Sequence, residues 1–265
     1  MRTELFIVDP QIDFCDPISG ALYVDGAEAD MGRLARMVNR LGTRLDAIHV
    51  TLDTHHYVHI AHPIFWKDAD GVHPSPFTII SRADVEEGRW SATDPAHHAR
   101  ALAYVRAVEA SGRYSLCIWP YHCLIGSPGH ALMPELHAAL IEWEKRPAVV
   151  NYVAKGSNIL TEHYSAIQAE VPDPTDPSTG LNRELIDALF AADTVVVAGE
   201  AGSHCVANTV RDLATQFGHD KHLKRLVLLT DAMSPVKGFE PLQDEFVQDM
   251  VDRGARLSTT TEFLK

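Results

Sequence analysis

The chain predicts an α/β fold in which a mostly parallel central sheet lies between two layers of helices. Three observations carry this prediction. Short apolar runs recur along the sequence, helical patterns separate them, and several runs end on residues able to do chemistry. The strand-like runs fall at 4–8, 46–52, 148–153, 194–198 and 225–229. Apolar residues at three- and four-residue spacing mark helices at about 27–43, 131–145, 181–191, 204–216 and 241–252. Strands that alternate with helices imply right-handed crossovers and a parallel sheet covered on both faces. The 265 residues suit one domain spanning 1–265.

The first run, Leu5-Phe-Ile-Val8, ends in the carboxylate of Asp9. The second leads into Asp53-Thr-His55. The stretch from about 63 to 118 then breaks the rhythm. It holds His73-Pro-Ser-Pro76, a candidate strand at Phe77–Ile80 and a helix at about 95–111, and reads as an insertion at a strand end, placed to wall one side of a pocket. The run at 148–153 delivers Lys155 and then Gly156. Val171 to Gly180 is a Pro/Asp-rich loop, read as a cover over the sheet edge. The run at 194–198 enters the turn Gly199-Glu-Ala-Gly-Ser-His-Cys205, with the cysteine where a helix begins.

Composition bounds the partners. Forty-six per cent hydrophobic and 22% charged residues are ordinary for a globular protein. A formal net charge of −13 without a Lys/Arg cluster argues against nucleic acid and anionic membranes. No apolar run approaches the roughly 20 residues that cross a bilayer, and no signal-peptide pattern precedes the first strand. Cys15, Cys117, Cys123 and Cys205 show no disulfide-framework spacing, so reduced thiols and a cytoplasmic location are expected.

In an open parallel sheet, ligands bind beyond the carboxyl ends of the strands, where Asp9, Lys155 and Cys205 all fall. A thiolate at a helix N-terminus is stabilised by the macrodipole, and the free amides there can hold an oxyanion. A cysteine nucleophile needs a proton acceptor and a nearby cation, which Asp9 and Lys155 supply. Residues i and i+2 of a strand share a face, so Asp53 and His55 can grip one divalent ion, with zinc first and iron or manganese next. His122 in Trp119-Pro-Tyr-His122-Cys123 is the leading third ligand, while His56, His59 and His62 stand as competitors.

Taken together these pieces resemble the cysteine-hydrolase superfamily of isochorismatase-like proteins, and within it the nicotinamidases. The matching segments are Asp9-Pro-Gln-Ile-Asp-Phe14, Asp53-Thr-His55…His59-Ile60, Trp119-Pro-Tyr-His122-Cys123, Lys155-Gly-Ser…Thr161-Glu-His-Tyr164-Ser-Ala and Gly199 to Thr209. They occur in family order and cover most of the chain outside 63–118. The resemblance implies a catalytic triad of Asp9, Lys155 and Cys205. It implies a metal held by Asp53, His55 and His122, and a ring clamp of Phe14, Trp119 and Tyr164. It also implies a cis peptide at Glu200–Ala201 and an oxyanion hole from the amides of Ala201 and Cys205. The expected activity is hydrolysis of a small heteroaromatic carboxamide such as nicotinamide through a cysteine thioester, by a homo-oligomer. Two residues depart from the family: Glu200 where an apolar residue is usual, and His204 where an aromatic one is. A related amidase acting on a substituted pyridine carboxamide or a ureido or carbamoyl substrate, and a catalytically silent binding member of the fold, are the rivals. A redox role is disfavoured by the spacing of Cys117 and Cys123.

Overall fold

The structure is a computed structural model that describes residues 1–146 and 148–265. Its core is a six-stranded, wholly parallel sheet. The strands are β1 (Thr3–Val8), β2 (Ala47–Asp53), β3 (Asn151–Lys155), β4 (Thr194–Gly199), β5 (Leu226–Leu229) and β6 (Arg256–Ser258). Their order across the sheet is β6-β5-β4-β1-β2-β3. The chain therefore winds one way from β1 to β3 and the other way from β4 to β6. Right-handed crossovers then place their helices on opposite faces. Helix Ala27–Leu41 packs on Pro134–Glu144, and helix Cys205–Phe217 packs on Arg183–Ala191 and Glu240–Asp252, as that rule requires.

Every residue of β1, β4 and β5 is buried, which is why these strands read as unbroken apolar runs. The edges read differently. β6 went unforeseen because Arg256-Leu-Ser is largely exposed and carries no apolar run. β3 begins at Asn151 rather than 148, because the Val150 amide is taken by the Glu144 carboxylate at 2.7 Å. The helix foreseen over 131–145 starts at Pro134, whose missing N–H suits a first turn. The residues before it are drawn off toward the β1 turn, with Ala131 O accepting from Ile12 at 2.9 Å and Met133 N donating to Pro10 at 3.0 Å. Asn182 caps the Arg183–Ala191 helix through Leu185 N at 3.1 Å.

The 63–118 segment builds two small antiparallel pairs, Trp66–Lys67 with Ser91–Ala92 and Ile79–Ile80 with Leu116–Cys117. The expected strand over 77–80 shrinks to two residues, since Phe77 has φ 68°, outside extended backbone. The expected helix over 95–111 runs His98–Ser111 after a 3-10 turn at Pro95–His97. No helix among the described residues is long and apolar enough to cross a membrane.

Candidate active site

The sheet order reverses between β1 and β4, and the residues just past these two strands meet there. Gly199 makes the approach possible: at φ 117° a Cβ would stand 2.0 Å from Val8 O. The Glu200 amide then donates to Val8 O at 2.8 Å. Asp9 follows β1 with φ 44° and is fully buried. Thr51 on β2 receives the Asp9 amide at 3.0 Å and donates its hydroxyl to Asp9 Oδ1 at 2.5 Å.

The β2–β3 register sets Asp53 opposite Lys155. The Lys155 ammonium, 3% exposed, lies 2.9 Å from Asp9 Oδ2, 3.0 Å from Asp53 Oδ1 and 2.9 Å from His163 O. It also stands 3.7 Å from Cys205 Sγ. One cation thus joins the three expected triad positions to the expected metal group. Burial works against its charge, but Asp53 and Asp9 outweigh burial and hold the ammonium well above the usual lysine range.

Cys205 opens its helix as the sequence suggests. Burial pushes its thiol up well above the ordinary cysteine range, Lys155 opposes this, and Asp9 and Asp53 add to the rise. Burial and the two carboxylates work against the thiolate, while Lys155 at 3.7 Å works for it. Burial also raises Asp9, against the pull of Lys155. The Glu200–Ala201 peptide is cis. Among the described residues, the amides of Ala201 and Cys205 have no backbone acceptor.

Asp53, His55 and His122 bring one ligand atom each to within 4.8 Å of one another, all buried. His55 Nδ1 donates to Gly156 O at 3.1 Å and His122 Nδ1 to Pro120 O at 2.7 Å. A carbonyl only accepts, so both Nδ1 atoms carry hydrogen, and both Nε2 atoms face Asp53 Oδ2, at 2.9 and 3.3 Å. Two imidazole lone pairs beside a carboxylate repel unless a proton or a metal ion lies between them. The donor set, tied from behind by carbonyls, fits a divalent metal. His59 is withdrawn from the competition, since Nδ1 accepts the Ala61 amide at 3.2 Å and Nε2 meets Thr161 O at 3.2 Å. His56 is exposed. His62 Nε2 is buried without a partner, its ring 5.6 Å from that of His122.

Phe14, Trp119 and Tyr164 line one cleft with Asp53, His122, Ala201 and Cys205. Trp119 Nε1 donates to Tyr164 OH at 2.9 Å, which fixes the angle between the two rings. His204 faces the same cleft. It is stacked on Tyr114 at 5.3 Å, edge-on to Trp119 at 5.4 Å and to Phe239 at 4.9 Å. Burial lowers its pKa to about 4, so a neutral imidazole fills the aromatic position. Glu200 turns away from the cleft.

Several residues here escaped sequence reasoning. Leu22 and Val236 add apolar walls, and Glu162 brings a buried carboxylate oxygen with no partner. Gln11 clamps Asp53 by its own backbone, accepting the amide at 2.6 Å and donating to the carbonyl at 2.8 Å. Asp13 accepts the Cys123 amide at 2.6 Å and so ties down the His122 loop. Thr51 alone had a usable signal, being two residues before Asp53 on the same strand face. The 63–118 segment lines none of this cleft and instead backs its walls, with Tyr114 against His204, Phe77 edge-on to Trp119 at 5.9 Å, and Tyr104 OH on the Glu162 amide at 3.3 Å.

No protein-family model matches this sequence, and no curated protein does. Solved structures do. The Acinetobacter baumanii nicotinamidase/pyrazinamidase is similar at TM-score 0.65 and 21% identity, over 99% of this chain and 98% of that one. The yeast nicotinamidase bound to the inhibitor nicotinaldehyde is similar at TM-score 0.66 and 18% identity, over 97% and 99%. The Pyrococcus horikoshii pyrazinamidase in complex with zinc follows at TM-score 0.57 and 18% identity, over 98% and 99%. End to end, this chain has the α/β, isochorismatase-like fold of those nicotinamidase and pyrazinamidase structures.

Proposed function

We propose that this chain is a metal-dependent cysteine amidohydrolase that cleaves a small heteroaromatic carboxamide of the nicotinamide class to the acid and ammonia. The observation that carries the reading is the buried Lys155 ammonium, bonded at once to Asp9 and Asp53 and 3.7 Å from Cys205. It couples a nucleophile and its proton acceptor to a three-ligand metal group in one aromatic cleft. The inhibitor and the zinc named for the yeast and Pyrococcus structures support the substrate class and the metal.

Asp9 accepts the Cys205 proton as the sulfur attacks the carboxamide carbon. The oxyanion accepts from the amides of Ala201 and Cys205, whose fixed direction costs no reorganisation. Collapse returns the proton from Asp9 to the departing nitrogen, which leaves as ammonia. Water then adds to the thioester, gives its proton to Asp9, and releases the acid with the thiol restored. Lys155 holds Asp9 in place and offsets negative charge as it forms. Phe14, Trp119 and Tyr164 exclude water and orient the ring. Asp53, His55 and His122 would hold the ion, which supplies a Lewis-acidic partner for the ring nitrogen or its bound water.

The test is ammonia release from nicotinamide by zinc-loaded protein beside its Cys205→Ala variant. Release that needs Cys205 is the expected result. No release from nicotinamide, or equal release by the variant, would sink the substrate class or the nucleophile respectively.

A further inference from the structure

Glu200 is the departure that the reaction leaves unused. It is fully buried behind the nucleophile turn, and the loop after β5 is the template on which that turn rests. Gly199 donates to Ala232 O at 2.9 Å and Gly202 to Ser234 O at 2.8 Å. The Val236 amide donates to Ser203 Oγ at 3.0 Å. Ser234 is the hub: its amide donates to Glu200 Oε2 at 3.0 Å and its hydroxyl to Asp30 Oδ2 at 2.6 Å. Two buried carboxyl groups therefore share one serine.

Among the described residues, the cation at this pair is Arg33, on the Asp30 side. Arg33 pairs with Asp30 and donates Nε to Asp231 O at 2.5 Å. The other groups facing Glu200 add no positive charge. Cys15, from the short helix before Ala27–Leu41, is a buried thiol held up first by burial and then by Glu200. The Asp231 carboxylate is turned to Thr260, at 2.7 Å from both its amide and its hydroxyl. Two ionised carboxylates and one arginine would leave an uncompensated buried charge, which costs far more than binding a proton.

We propose that Glu200 is a positioning residue for the Cys205 turn, acting as a neutral acid whose Oε1 is buried with no partner among the described residues while Oε2 holds the Ser234 amide. Ser234 then ties Glu200 Oε2 through its amide and Asp30 through its hydroxyl. The template then holds the turn so that the Ala201 and Cys205 amides stay directed into the cleft. Ionisation of Glu200 sets two anions against each other beneath Ser234 and loosens the turn. Burial, reinforced by Asp30, raises the Glu200 pKa well above the carboxylate range, so its contribution is lost as pH rises. This role rests on the hydrolase reading only through its kinetic consequence, and the pair itself can be tested without turnover.

Glu200→Gln keeps an acceptor for the Ser234 amide and cannot ionise, whereas Glu200→Ala keeps no acceptor. In infrared difference spectra at pH 7, wild type should show a protonated-carboxyl band that Glu200→Gln lacks. Absence of that band overturns the proposal. The fall of the thermal midpoint at alkaline pH should be smaller in Glu200→Gln than in wild type, and parallel falls overturn it too. With nicotinamide, Glu200→Gln should keep kcat within about threefold at neutral pH while Glu200→Ala loses about tenfold or more. Wild-type kcat from Glu200→Ala would overturn the proposal. Should wild type release no ammonia, the hydrolase reading fails while the infrared and thermal results still decide the pair.

Discussion

At the residue scale the site is a problem in charge balance. Asp9, Asp53 and Lys155 share one buried space with the Cys205 sulfur, whose thiol burial pushes up and Lys155 draws down. Replacing Cys205 by Ala removes the proposed nucleophile without touching Asp53, His55 or His122. Turnover should drop below about one per cent of wild type, with zinc content by elemental analysis unchanged. His204 is neutral well above its pKa of about 4 and acts as one more ring. His204→Phe should therefore keep KM for nicotinamide within about threefold, while His204→Ala, which opens a cavity beside Trp119 and Tyr164, should raise it about tenfold. Equal KM values for the two variants would show that the ring box does not hold the substrate.

At the element scale the strand ends do the positioning. β1 and β4 come together only because Gly199 lacks a Cβ and takes φ 117° against Val8 O. Gly199→Ala should cost at least about 2 kcal/mol of stability by urea denaturation. The strand-to-reactive-residue pattern was legible in the sequence for Asp9, Asp53, Lys155 and Cys205, because each follows an apolar run. Gln11, Asp13 and Glu162 were not, since a polar residue in a turn looks alike whether it meets water or clamps a neighbouring strand. β6 was missed for a related reason: an exposed edge strand needs no apolar run, and its place is set by pairing with β5.

At the scale of the whole molecule, buried charge makes stability depend on pH. Glu170 is raised to about 7 by burial, with Arg113 opposing and Asp212 adding. Its folded pKa lies above its unfolded value, so its contribution is complete below the model-peptide value of 4.5 and is lost as pH climbs through about 7. The shift corresponds to a loss on the order of 3 kcal/mol by pH 8. Glu170→Gln should be more stable than wild type at pH 8 and no more stable at pH 4, by denaturant midpoints at the two values. A divalent metal held by Asp53, His55 and His122, as proposed, would act on the molecule as well. A ligand at about 100 times its Kd adds about 2.7 kcal/mol to the folded state, so chelation should lower the thermal midpoint. Asp53→Asn should remove most of that metal-dependent increment, and an unchanged increment would place the ion elsewhere.

The sequence by itself determined the alternation of strands and helices and the reactive residue at each strand end, because both are written in local periodicity and burial. The resemblance it carries also named the metal group. Only the tertiary structure decided which histidines keep a free nitrogen facing Asp53, and that the 63–118 segment backs the cleft walls rather than forming them. It alone showed that Glu200 is buried against Ser234 behind the Cys205 turn while His204 enters the cleft. Each of these depends on which groups from distant segments face one another across a dry interior. There a hydrogen-bond partner or an unpaired charge outweighs any local preference of the chain.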